Sequence, residues 1–222
     1  DGGPRRRNQG GARAGPRRES HPWREDPWPE AVTVTGKHVS GGLLRRDHEA
    51  DLAGAAADGE LHQLWYTTVP APGAVPAEIE RRLALRAAGS MLPFAVIDAI
   101  TGRAVGMTTY MHIDAVNRRV EIGSTWYARA VQRTPVNTEC KLLLLTQAFE
   151  GLDCIAVEFR THFMSEQSRR AIERLGAKLD GILRAHMVMA NGSLRDTAVY
   201  SITAPEWPAV KASLQWKLTR PR

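Results

Sequence analysis

The pattern of apolar and polar positions divides the chain into a helical first part and a strand-rich remainder. Leu44, Leu52, Ala55 and Ala56 recur near helical spacing around residues 45–58, and Asp58-Gly59 ends the run, which predicts a first helix. Pro76 stands where a first-turn proline belongs, ahead of Ile79, Leu83 and Ala87, and Gly89 closes a second helix over 76–88. Before both, Val32-Thr33-Val34 and Lys37-His38-Val39 predict a short opening strand. From Leu92 the period changes to two. Strands are expected around Phe94–Ile97, Ala104–Ile113 and Arg118–Trp126, joined by turns at Thr101-Gly102 and Asp114–Asn117. In the third, Val120, Ile122, Ser124 and Trp126 share one face, and Arg119, Glu121, Gly123, Thr125 and Tyr127 the other. A four-residue turn sets Ile113 opposite Arg118, His112 opposite Arg119 and Tyr110 opposite Glu121, so Tyr110, His112, Arg119 and Glu121 are expected on one polar face.

A polar loop over 128–136 leads into a helix over about 138–150, with Leu142, Leu145, Ala148 and Phe149 on its buried side and Gly151 at its end. Ile155, Val157 and Phe159 then alternate with Ala156, Glu158 and Arg160 in a strand. Strand, helix and strand make a βαβ crossover, so the flanking strands are expected to be parallel. A short helix over 166–175, strands over 178–183 and 195–203 around the Asn191-Gly192 turn, and a helix over 208–216 complete an α/β domain.

Charge is unevenly placed. The chain of 222 residues carries a formal +6, of which residues 1–18, with six arginines against Asp1, hold +5. Residues 1–30 therefore read as a disordered Arg/Gly/Pro-rich arm, too poor in large apolar residues near its start to offset its ordering entropy, and residues 31–222 as one domain. Such an arm can contact RNA or a ribosome electrostatically, or be a solvated tail. No run of eighteen apolar residues predicts a membrane span, and the first residues lack the apolar core of a secretory signal, so a cytoplasmic protein away from membranes is expected. Cys140 and Cys154 have no metal or disulfide spacing and read as buried apolar residues; no metal is expected. The phosphate-loop, dinucleotide, zinc-protease and nucleophile-elbow signatures are all missing. What remains is the crossover loop, Gln132 to Thr138, where a helix N-terminus offers backbone N–H groups to an anion.

Several spacings along the domain coincide with one family. Glu121-Ile122-Gly123 followed by Trp126 resembles its strand motif, and Gln132 with Thr138-Glu139 matches the ends of its Q-x-x-G-x-[GA]-x-E cofactor loop. Ser168-Arg169-Arg170 and Leu175-Gly176-Ala177 resemble its later helix, and Asp180 to Arg184 follows in place. From about Val34 to Ile202 the chain resembles a GNAT-superfamily N-acetyltransferase of the RimJ/RimL type. The resemblance implies a GNAT fold with a mixed sheet of about six or seven strands whose crossover holds acetyl-CoA, and transfer of acetyl to a primary amine on a protein, a peptide or a small molecule; a homodimer is a further option. Where the family loop has its glycines, this chain has Arg133, Pro135 and Asn137. Proline offers no N–H, which leaves open an alternative: a non-catalytic domain of the same fold that senses coenzyme A or acts as a scaffold.

Acetyl transfer needs a neutral amine, a polarised carbonyl and a proton for the departing thiolate. Glu121, on the polar face of the strand expected to flank the thioester, is the expected base, with His112 as the alternative; the resemblance implies Ser168 as proton donor, with Tyr110 as the alternative acid. It implies Thr125 and Trp126 against pantetheine, and Gln132, Arg133, Thr134, Val136, Asn137, Thr138 and Ser165 around the cofactor. A structural carboxylate at Glu121, core packing at Trp126 and helix capping at Ser165 and Ser168 are the competing readings.

Overall fold

A computed structural model describes residues 28–66 and 69–220; the expected arm therefore lies almost wholly outside the described residues. The chain runs β1 (Val34–Thr35), β2 (Val39–Leu43), α1 (Glu49–Ala57), α2 (Val75–Ala87), β3 (Met91–Asp98), β4 (Ala104–Asp114), β5 (Arg119–Tyr127), α3 (Pro135–Thr146), β6 (Ala156–His162), α4 (Glu166–Arg174), β7 (Lys178–Val188), β8 (Leu194–Thr203) and α5 (Trp207–Thr219). The strands form one mixed sheet in the order β1-β2-β3-β4-β5-β6-β8-β7. That is eight strands where six or seven were expected, because the opening segment folds back as the β1–β2 hairpin.

Alternation along the strands divides the core between the two faces. Leu92, Phe94, Val96, Tyr110, Val120, Ile122, Val157 and Phe159 pack with Leu144 and Leu145 of α3 and Leu214 of α5. On the other face Ala95, Met107 and Trp126 pack under Leu52 of α1 and Val75 and Ile79 of α2. Those helices cover only the β3–β5 side, and beyond it a cleft of about 430 Å³ is lined by Arg119, Glu158, Arg160, Asp180 and Ser201 among others.

Two irregularities correct the expected register. Tyr110 pairs with Ile122 and Met111 with Glu121, one residue away from the expected pairing, while Asp114 pairs with Arg119. A one-residue slip exchanges faces: Tyr110 enters the core and leaves the polar face. The slip is absorbed between Met111 and Asp114, where His112 takes a left-handed φ of 45°. The second bulge is at Ser124, with φ 48°. It reverses the alternation of β5, so that Ile122 and Tyr127 face α3 while Trp126 faces α1 and α2. Buried Arg82 of α2 braces this bulge, donating through Nη2 to the Ser124 carbonyl at 3.0 Å and through Nη1 to Thr109 Oγ1 at 2.9 Å.

The crossover is as expected, with β5 and β6 parallel. Their pairing covers Arg119–Glu121 against Ala156–Glu158 and no more, after which the strands part. α3 begins at Pro135, three residues earlier than expected, because Thr134 caps it. It ends in a wider turn over Gln147–Gly151.

Candidate active site

Glu121 occupies the last paired position of β5 before the strands part. Its alternation with Val120 and Ile122 turns it away from α3, and its side chain is buried. Its Oε2 lies 2.5 Å from His112 Nδ1 and 3.7 Å from Arg160 Nε, and Arg160 also pairs closely with Glu158. A carboxylate only accepts, so His112 Nδ1 carries the proton and, in the neutral ring, Nε2 keeps its lone pair. The hydrogen bond to Glu121 raises the His112 pKa, outweighing the opposing effect of partial burial. With its side chain 57% exposed, His112 presents a strengthened base to solvent while Glu121 orients it from beneath. Gly123 makes room for this pair: a Cβ there would sit 2.7 Å from Glu121 Oε1 and 2.8 Å from Met111 Sδ.

The structure separates Tyr110 from this pair. Tyr110 is fully buried, and its hydroxyl donates to the Leu144 carbonyl at 2.5 Å. Burial raises its pKa well above that of an ordinary phenol. Its packing against Phe94 and α3 makes it a core residue, not an acid beside Glu121. Ser168 is half-buried on α4. Ser165 is at the N-cap of α4 and buried, yet its side chain makes no capping hydrogen bond.

Much of the crossover loop is committed to its own geometry. Thr134 Oγ1 donates to the Val131 carbonyl at 2.6 Å and accepts from the Val136 N–H at 3.3 Å. Gln132 Nε2 donates to the Tyr127 carbonyl, Val136 is buried in the core, and Thr138 Oγ1 accepts from Arg174. Pro135 has no N–H, so the backbone donors open by position in the first turn of α3 belong to Thr134 and Asn137. Asn137 Oδ1 is buried there without a hydrogen-bond partner. Arg133 is exposed with a left-handed φ of 59°, a backbone conformation that favours glycine. Trp126, buried at 5% exposure beneath α1 and α2, is a core residue, and its indole N–H is unpartnered. Thr125 faces α3 instead, beside the gap where β5 and β6 part; its Oγ1 bonds Thr108 Oγ1 at 2.8 Å and accepts from Lys141 Nζ at 2.9 Å.

Lys141, Arg160 and Arg82 were not among the expected site residues. For Lys141 a signal existed: it shares the helical stripe of Leu144, Leu145 and Ala148, at i+3, i+4 and i+7, where a lysine is out of place.

A gap between parting strands, a helix N-terminus at its edge and a carboxylate–imidazole pair on the opposite face together define an α/β fold with a built cleft. Residues 43–178, more than half of the chain, match the acetyltransferase (GNAT) domain family. The chain belongs to the GNAT acetyltransferase family. A solved GCN5-related N-acetyltransferase from Brucella melitensis is 34% identical, covers 87% of this chain and 88% of its own, and superposes with a TM-score of 0.79. A protein named as a ribosomal N-acetyltransferase, YdaF of Bacillus subtilis (strain 168), is 33% identical over 110 residues, which span 50% of this chain and 59% of that relative. RimJ of Mycobacterium smegmatis, solved with a CoA disulfide, shares the fold at 22% identity and a TM-score of 0.70. No helix among the described residues is long and apolar enough to cross a membrane.

Proposed function

We propose that this protein is an acetyl-CoA-dependent N-acetyltransferase acting on a primary amine, with the N-terminal amine of a ribosomal protein as the acceptor class suggested by its named relatives. The observation that carries the reading is the placement of Glu121 and His112 at the fork where β5 and β6 part. The gap and the first turn of α3 fit an acyl-CoA. The backbone N–H groups of Thr134 and Asn137 would hold its pyrophosphate, with Arg133 alongside, and Thr125 would flank the pantetheine. The bound cosubstrate supplies an activated acetyl group as a thioester. From the open face, neutral His112 takes a proton from the acceptor nitrogen through Nε2, and Glu121 stabilises the imidazolium that results.

The commitment of Thr134 and Val136 to capping, with Pro135 between them, favours one competing reading, a non-catalytic coenzyme A sensor or scaffold. Calorimetric titration with acetyl-CoA and a transfer assay on N-terminal peptides separate the two. Glu121→Gln should lower turnover by about 10² or more while leaving acetyl-CoA affinity intact. Binding without transfer to any amine supports the sensor, and absence of binding at about 1 mM, a free energy near −4 kcal/mol, rejects the enzyme and the sensor and leaves the scaffold.

A further inference from the structure

Lys141 is the buried titratable group for which the acid–base pair above has no use. It lies in the second turn of α3, is 7% exposed, and reaches from the α3 side into the gap between β5 and β6. On β5 its ammonium donates to Thr125 Oγ1 at 2.9 Å, and on β6 it lies 6.0 Å from the centroid of the Phe159 ring. Both contacts are uncharged, and among the described residues no carboxylate forms an ion pair with it. Its neighbour Glu139 turns its carboxylate to the β1–β2 turn, accepting from the backbone N–H groups of Lys37, His38 and Val39. The other titratable group beside it is the Cys140 thiol, buried and itself shifted up by burial. A buried ammonium without an anion is costly, and an anion bound beside it would offset that cost. Burial lowers the Lys141 pKa to about 8, so the ammonium readily releases a proton near neutral pH.

Resting on the acetyltransferase reading, we infer that Lys141 is the cationic partner and proton donor of the coenzyme A sulfur, acting through the sheet from the face opposite the His112–Glu121 pair. The acceptor nitrogen forms its bond to the acetyl carbon, and the carbon–sulfur bond breaks with its electron pair going to sulfur. Lys141 Nζ gives that sulfur a proton, so that coenzyme A leaves as a thiol, while His112 takes the proton lost by the nitrogen. Lys141 then regains its proton from solvent and His112 loses its own, which balances the cycle. The two proton transfers are kept on opposite faces, so neither group short-circuits the other.

The test reads the thiol of coenzyme A itself. Ultraviolet titration of coenzyme A bound to the wild type should show thiolate forming about 1–3 pH units below the free thiol, as expected for an anion beside a buried cation. In Lys141→Met the shift should vanish. The variant should melt at or above the wild-type temperature, because an apolar side chain of similar length removes a buried unpaired charge and Thr125 and Thr108 still bond each other. Lys141→Arg should keep the thiol shift yet lose turnover, since a guanidinium does not give up its proton. A wild-type thiol pKa equal to that of free coenzyme A overturns the inference, as does an undiminished shift in Lys141→Met. If the wild type binds no coenzyme A, the acetyltransferase reading falls and this inference with it; binding with an unshifted thiol removes the role of Lys141 alone.

Discussion

Replacing Glu139 with Gln should destabilise the domain by about 3–4 kcal/mol, more than its position beside a ligand loop suggests. Its carboxylate is buried and serves the β1–β2 turn: Oε1 accepts from Lys37 N–H at 3.0 Å, and Oε2 from His38 N–H at 2.5 Å and Val39 N–H at 2.9 Å. A glutamine can keep its carbonyl on the His38 and Val39 pair, where two charge-assisted bonds become neutral ones at a loss of about 1 kcal/mol each. Its amide then points donor against donor at the Lys37 N–H, a half-buried group whose unmet bond costs about 1–2 kcal/mol. For a domain of this size that sum lowers the melting temperature by about 10 °C. Urea unfolding should show a lower midpoint with an unchanged slope. Gly36→Ala should act through the same contact, because a Cβ there would lie 2.5 Å from Glu139 Cδ and push the carboxylate from its nest. The double variant should therefore be little worse than either single one. A melting temperature within about 3 °C of wild type in Glu139→Gln, or full additivity of the pair, would refute the reasoning.

Two further outcomes concern the base. Because the Glu121 hydrogen bond raises the His112 pKa above 6.5, the acid limb of kcat/KM should fall above that value. Activity should be present above the limb and lost as pH drops through it. In Glu121→Gln the limb should move to lower pH as total activity declines; an unmoved limb would assign it to another group. Gly123→Ala should displace the Glu121 carboxylate and cost on the order of 10² in turnover, with the His112 pKa, followed by NMR, returning toward its ordinary value.

The fold was largely legible because apolar period and turn residues report burial directly. The first two helices, the meander and the parallel crossover stand where their patterns put them. Glu121 and His112 were also legible as candidates, and they do meet. What the pattern could not carry is the face on which each residue of β4 and β5 lands, since that depends on two bulges. A bulge is visible when a glycine marks its left-handed residue, but here the left-handed residues are His112 and Ser124, which carry no such mark. The energy that holds the second of them comes from another element. Arg82 reads in sequence as one more polar position of α2, yet it is 2% exposed, paired with Glu78, and spends its two remaining nitrogens on the Ser124 carbonyl and Thr109. A carbonyl pulled out of the β4–β5 ladder needs a buried donor, and this arginine is the donor. Its cost of burial is offset only if the bulge is present, so helix and bulge stabilise each other. That mutual dependence sends Thr125 toward α3 and Lys141 while Glu121, four residues earlier, faces the opposite way, and the site takes its two sides from it.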